Sequence, residues 1–201
     1  MRVTNRFSPA ASKATELSVT WAGVTTLLID DGVSAVLTDG FFSRPGLLTV
    51  ATRPLRSSRR RIESALDRLG AQRLAAVTPG HTHYDHAMDS AVVADLTGAR
   101  IIGGSSAAQI AAGHGLYQAD IVTPGEPVTA GNYDITLIEG HHCPPDRFPG
   151  AITAPVAPSA RASAYRCGEA WSTMVAHRPT GRRLLIVGSA GYLPGEEDAG
   201  E

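Results

Sequence analysis

The alternation of apolar and polar positions is clearest in "LSVTWAGVTTLLIDDGVSAVLTDGFF", where short β-branched runs are broken by Gly and by Asp30-Asp31-Gly32. The pattern predicts strand, turn, strand, turn, strand. Asp-Asp-Gly is a hairpin signal, because Asp turns its side chain onto its own backbone and Gly takes a positive φ without a steric penalty. "FSRPGLLTVATRPLRSS" carries two prolines and predicts an excursion loop. In "SRRRIESALDRLGA", Ile62, Leu66 and Leu69 recur at four and three, with Gly70 at the C-cap, which predicts an amphipathic helix. Its Arg59, Arg60 and Arg61 read as a solvated face.

"RLAAVT" predicts a short buried strand ending at Pro79-Gly80. Helical spacing returns through Ala87, Ala91, Val92 and Leu96, with Gly98 as the stop. "ARIIGG" predicts a strand, "SSAAQIAAGHG" a helix with a Ser N-cap, and "YDITLIEG" another strand. "AYRCGEAWSTMVAH" and "RRLLIVGSAG" predict a hairpin across Pro179-Thr180-Gly181. An antiparallel opening followed by alternating strands and helices is an α/β (α+β) pattern. With no internal repeat and no dividing linker, one domain is expected over 1–201. Regular structure is not expected in a polar arm over 1–15 or an acidic tail over 194–201. The stretch "HHCPPDRFPGAITAPVAPSARAS" holds five of the thirteen prolines, so its residues 144–163 read as a long loop of the kind that covers sites.

Composition narrows the classes. The chain has 201 residues, 43% hydrophobic and 18% charged, which is globular rather than disordered. A net charge of -1 gives no electrostatic case for nucleic acid or an anionic membrane surface. Cys143 and Cys167 are too few for a disulfide scaffold and read as free thiols of a reducing compartment. No apolar run has signal-peptide or membrane-spanning length. The expectation is a cytoplasmic protein acting on a small-molecule substrate, without nucleic acid or membrane partners.

The chemistry lies in "TPGHTHYDHAMD", which places three of the chain's seven histidines within six residues. His81-x-His83-x-Asp85-His86 follows a buried strand and opens a helix, where loops of layered α/β proteins carry function. If the backbone is extended there, His81 and His83, two apart, point to one side. Zinc takes imidazole nitrogen and carboxylate oxygen, and a catalytic site needs three protein ligands and an open position. The missing imidazole is offered at "LIEGHHCPP", where a second strand ends before His141 and His142. His114 and His177 read as ordinary surface residues.

The His81-x-His83-x-Asp85-His86 run resembles the signature of the metallo-β-lactamase superfamily, metal-dependent hydrolases built as an αβ/βα sandwich. "WAGVTTLLIDDGVSAVLTDG" resembles its first hairpins, with Asp39 at the place of a strand-ending Asp, and "LLIVGSAG" resembles a later strand motif. The resemblance covers about Trp21 to Gly191 and is nearest the ascorbate-6-phosphate lactonase branch. It implies His81, His83 and His142 as ligands of a first metal, His142 being preferred to His141 because it directly precedes the small residue and the prolines. Asp85 and His86 would serve a second metal.

Two departures follow. Ser189 stands where the family has a bridging aspartate, and no final downstream histidine is present. The resemblance therefore implies a shortened sandwich lacking its last strand and helix, with one well-formed zinc site and a weak second one. Manganese or iron would also suit such donors. The expected reaction is attack of a zinc-activated water, its pKa lowered from about 15.7 to about 7, on an ester, lactone or phosphoester. Asp85 would orient or deprotonate that water, while also serving the first turn of the helix.

The rival readings are a metal-binding protein without turnover, an amidohydrolase barrel and a nucleic-acid-processing relative. The barrel needs about 250 residues. A nucleic-acid enzyme would want a basic surface.

Overall fold

The computed structural model describes residues 17–191, so the predicted 1–15 arm and 194–201 tail lie outside the described residues. Alternating side chains build the opening as predicted. Strands β1 (Ser18–Gly23), β2 (Thr26–Asp30) and β3 (Ala35–Thr38) pair antiparallel in order. In the β2–β3 turn, Asp31 Oδ1 accepts the N–H groups of Val33 at 2.8 Å and Ser34 at 2.7 Å. Gly32 takes a φ of 85° there.

The predicted excursion loop is more ordered than expected. It carries a short helix α1 (Leu47–Thr52), which buries no residue, and a two-residue strand β4 (Leu55–Arg56). Helix α2 (Arg59–Leu69) turns Ile62, Ala65 and Leu66 inward and stops at Gly70, φ 67°. This is the left-handed cap that glycine adopts without strain.

Three strands then extend the sheet in parallel: β5 (Leu74–Thr78), β6 (Arg100–Gly103) and β7 (Ala119–Ile121). The spacing after β5 predicts one helix, but the chain forms two, α3 (Tyr84–Ala87) and α4 (Ser90–Thr97). Between them Asp89 is buried, and its carboxylate accepts the N–H of Phe42 at 2.9 Å, the N–H of Ser43 at 2.6 Å and the Ser43 hydroxyl at 2.7 Å. That demand interrupts the helix and fixes the chain that leaves β3.

Helix α5 (Ser105–Gly113) links β6 to β7. Its expected Ser N-cap is not formed. Gly104 is the N-cap, and the Glu169 carboxylate accepts the N–H groups of Ser105 at 2.8 Å and Ser106 at 3.2 Å. A Cβ at position 104 would collide with that carboxylate, so glycine is what admits it.

The second sheet is antiparallel: β8 (Pro127–Ala130), β9 (Tyr133–Gly140), β11 (Ala170–His177) and β12 (Arg182–Ile186), in the order β12-β11-β9-β8. The inner strands of the first sheet are buried on both faces. Leu28, Leu37, Val77 and Ile101 pack on Ile62 and Leu66 of α2 and Val93 of α4. Ile29, Val36, Ala76 and Ile102 meet Tyr133, Ile135, Leu137 and Val175 of the second sheet. Each fully buried aliphatic or aromatic side chain in these layers contributes about 1.5–3 kcal/mol. The result is a mixed α/β sandwich of two face-to-face sheets; the pattern predicted the α/β class, and the resemblance implied the sandwich. The outer face of the second sheet carries Thr136, Ile138, Met174 and Leu185, each at least partly exposed. Among the described residues no helix is long and apolar enough to cross a membrane.

The 144–163 segment packs down as a strap. Ile152 and Val156 are buried beside Met88 and Ile110, and β10 (Ser159–Ala160) pairs antiparallel with β4. His177 also departs from the surface role read for it. It is buried, with Nε2 3.0 Å from Asp31 Oδ2 and Nδ1 2.8 Å from Thr180 Oγ1. The β11–β12 turn folds against the β2–β3 turn, where the Asp31 carboxylate needs donors.

Candidate metal centre

Strands from both sheets end at one rim. β5 runs out at Thr78, and Pro79-Gly80 hands the chain to His81. Gly80 ties this turn to both sheets: its N–H donates to Asp39 Oδ1 at 2.8 Å, and its carbonyl accepts the Trp171 N–H at 2.7 Å. Thr82 is pinned to the opposite side, its N–H donating to the Cys167 carbonyl at 2.8 Å and its hydroxyl to the Arg166 carbonyl at 2.6 Å. Anchored at Thr82, the chain turns its neighbours His81 and His83 to the same side, as the spacing of two predicted. His81 Nε2 lies 3.0 Å from His83 Nδ1.

The second sheet delivers the third imidazole. β9 ends at Gly140, and the His142 ring sits 4.6 Å from that of His81 and 4.9 Å from that of His83, between centroids. One ring nitrogen from each of the three lies within 4.8 Å of the others. His142 Nδ1 meets the Cys143 carbonyl at 2.7 Å, which leaves Nε2 as the free donor. His141 is exposed. A Cβ at Gly140 would strike the Ala190 carbonyl, so glycine lets the Gly188–Ala190 turn close over the end of β9. Cys143 is exposed, and its N–H donates to the Ser189 carbonyl at 2.9 Å.

His86 and Asp85 flank the trio. The His86 ring is 3.8 Å from that of His81, and its Nδ1 is 2.9 Å from Asp39 Oδ2. Its Nε2 is 4.0 Å from Asp85 Oδ2, on a side chain 41% exposed. Asp39 itself is buried at φ 54°, a left-handed conformation uncommon outside glycine. It serves Gly80, His86 and the Thr25 hydroxyl together. Ser189 lines the same cleft beside Thr25, Asp39 and His86, so a hydroxyl occupies that wall. Tyr84 packs edge-on against Phe41.

The electrostatics suit nitrogen donors. Burial, then the neighbouring His86, His83 and His142, holds His81 down at about 2, so it is a neutral imidazole at any working pH. Burial also lowers His83. Burial pulls His86 down, but the Asp39 carboxylate outweighs it and the net shift is upward. Three imidazoles with ring nitrogens within 4.8 Å of one another offer a donor set that fits a divalent cation. Tetrahedral zinc with bonds of about 2.0–2.1 Å sets its nitrogens about 3.3 Å apart.

A second group was not read from the sequence: His83, Asp146 and Cys167 also bring donor atoms within 4.8 Å of one another. Burial, then Asp146, pushes the Cys167 thiol up to about 12. Asp146 follows His142 by four residues, and that proximity was the only signal of it in the sequence.

No protein-family model matches the sequence, and a comparison with curated proteins finds no match. Solved structures that resemble it include Igni18, a metallo hydrolase from Ignicoccus hospitalis, at 16% identity and TM-score 0.49, covering 85% of this chain and 59% of that one. MEM-A1, a subclass B3 metallo-β-lactamase from a soil metagenome library, matches at 15% identity and TM-score 0.49, covering 80% and 54%. A metallo-β-lactamase from Cronobacter sakazakii matches at 18% identity and TM-score 0.47, covering 80% and 56%. The chain thus spans just over half the length of each.

Proposed function

We propose that the chain is a metal-dependent hydrolase acting on an ester, lactone or phosphoester of a small molecule. The observation that carries this reading is the meeting of His81, His83 and His142, from the ends of two different sheets, with ring nitrogens within 4.8 Å. These residues would hold the cation. Zinc is favoured by the all-nitrogen set, and manganese or iron is compatible. When bound, the cation supplies Lewis acidity toward water and toward an electrophile's oxygen. Asp85, its carboxylate partly exposed at the edge of the trio, orients water and accepts its proton. His86, oriented by Asp39, contributes with Asp85 to a weaker second position. The 144–163 strap forms the rim that shapes the substrate, with the exposed Arg147 available to an anionic group. The resemblance of the sequence to the lactonase branch makes lactones the first substrates to assay. The two unpaired thiols fit a reducing, cytoplasmic setting.

A second reading is favoured by Ser189, since a hydroxyl in the cleft wall is a poorer partner for a dication than a carboxylate. The chain would then bind metal without turnover. Metal content per chain, combined with hydrolysis assays on a lactone, a phosphodiester and a β-lactam, separates the two. We expect bound zinc that is lost in His81→Ala and His83→Ala. In Asp85→Ala we expect the histidine-held zinc to stay while turnover falls by about 10²–10⁴. Bound metal without turnover on any substrate selects the second reading, and absence of any bound metal removes both.

A further inference from the structure

The imidazole of His83 has two working edges. Nδ1 faces the trio, 3.0 Å from His81 Nε2. Nε2 is buried on the opposite edge with no hydrogen bond of ordinary geometry among the described residues, yet it lies 3.2 Å from Asp146 Oδ1. We propose that Asp146 is a positioning residue for His83: it accepts the Nε2 proton and so fixes the tautomer whose Nδ1 lone pair points at the metal position. This rests on the metal-binding reading above.

The surroundings of Asp146 hold it to that task. Its Oδ1 accepts the Phe148 N–H at 3.0 Å, and the Phe148 carbonyl accepts the Cys167 N–H at 2.8 Å. Cys167 is buried with its sulfur in the same cluster, within 4.8 Å of the carboxylate. The Cys167 carbonyl in turn holds the Thr82 N–H, between the two histidines. One bracket of Asp146, Phe148 and Cys167 therefore sets both the backbone and the ring of His83.

A cation held by His83 Nε2, Asp146 and Cys167 is the competing use of the same atoms. A neutral imidazole has one lone pair, so a ring that presents Nδ1 to the trio keeps its proton on Nε2. Filling both positions at once would require an imidazolate and a thiolate, two protons lost from buried groups. A carboxylate behind a metal-facing histidine needs neither, and such partners typically change affinity 10–100-fold.

The test has a metal-free arm and a metal arm, both on the full chain. In ¹⁵N-histidine-labelled, metal-free protein, the His83 ring should carry its proton on Nε2. Asp146→Ala should shift that population toward Nδ1–H, and Asp146→Asn, which keeps an acceptor oxygen, should restore it at least in part. Zinc and cobalt affinities from chelator competition should fall about 10–100-fold in Asp146→Ala and by about tenfold or less in Asp146→Asn. Should Asp146→Ala not fold, the Asn variant carries the test through its weakened affinity and a moved Nε2 resonance. In Asp146→Ala, an unchanged tautomer with affinities within twofold of the parent overturns the proposal; if only the Asn variant folds, an unmoved Nε2 resonance does so. So does a second equivalent of zinc that disappears in Cys167→Ser. If the parent binds no divalent metal at all, the metal-binding reading fails, while the metal-free spectrum still reports on the Asp146 contact.

Discussion

Asp31 shows how one buried carboxylate can carry a measurable share of stability. It accepts from the Val33 and Ser34 N–H groups, from Asn132 Nδ2 at 2.7 Å and from His177 Nε2 at 3.0 Å. Burial alone would raise its pKa, but these donors, Ser34 first, outweigh it and hold the carboxyl well below its ordinary 3.8. A depressed folded pKa stabilises the fold above the unfolded value, and the gain fades as pH falls toward the folded one. Asp31→Asn should therefore cost about 2–4 kcal/mol at pH 7, a gap that narrows below about pH 4. Urea unfolding from pH 3 to 7 measures it, and a gap independent of pH would contradict the assignment. The residue scale is also where legibility in the sequence was most uneven. His81, His83 and His142 could be read because each follows a strand end at a telling spacing. His177 could not, because its partner Asp31 lies 146 positions away. Asp146 was hidden in the same way, in a stretch without periodicity.

At the level of elements, the strands were legible because a period of two reports a half-buried pleat directly. Helix α2 was legible from its spacing and its Gly70 cap. Two of the failures involve long-range acceptors. Asp89 divides the α3–α4 stretch by turning to Phe42 and Ser43. Glu169 takes over the start of α5 from across the fold. Helix α1 left no signal because its leucines, Leu47 and Leu48, are exposed. The α5 cap gives a direct test. Burial tends to raise Glu169, but the bonds from Ser105 and Ser106 prevail and lower it, so the carboxylate is charged where the helix start favours an anion. Glu169→Ala should lower stability by about 1–2 kcal/mol in denaturant unfolding, whereas Ser105→Ala, which keeps both backbone donors, should cost less.

For the molecule as a whole, the centre can exist only when the two sheets are docked. His81 and His83 follow a strand of one sheet and His142 a strand of the other. The Trp171 to Gly80 bond fastens the sheets beside them. A ligand that binds only the docked state raises its stability by about 2.7 kcal/mol at a hundredfold excess over its dissociation constant. Zinc should therefore raise the melting temperature of the parent and leave that of His83→Ala unmoved. Equal shifts in both would place the effect elsewhere on the chain.

The separation of the donors along the chain adds a topological consequence. A cation joining His83 to His142 would close a ring of roughly sixty residues. The chain-entropy treatment of disulfides gives such a cross-link about 4 kcal/mol, by denying the unfolded polymer its most extended states. A chelator would in that sense act as scissors on a reversible staple, loosening the knit of the whole sandwich as it empties the site.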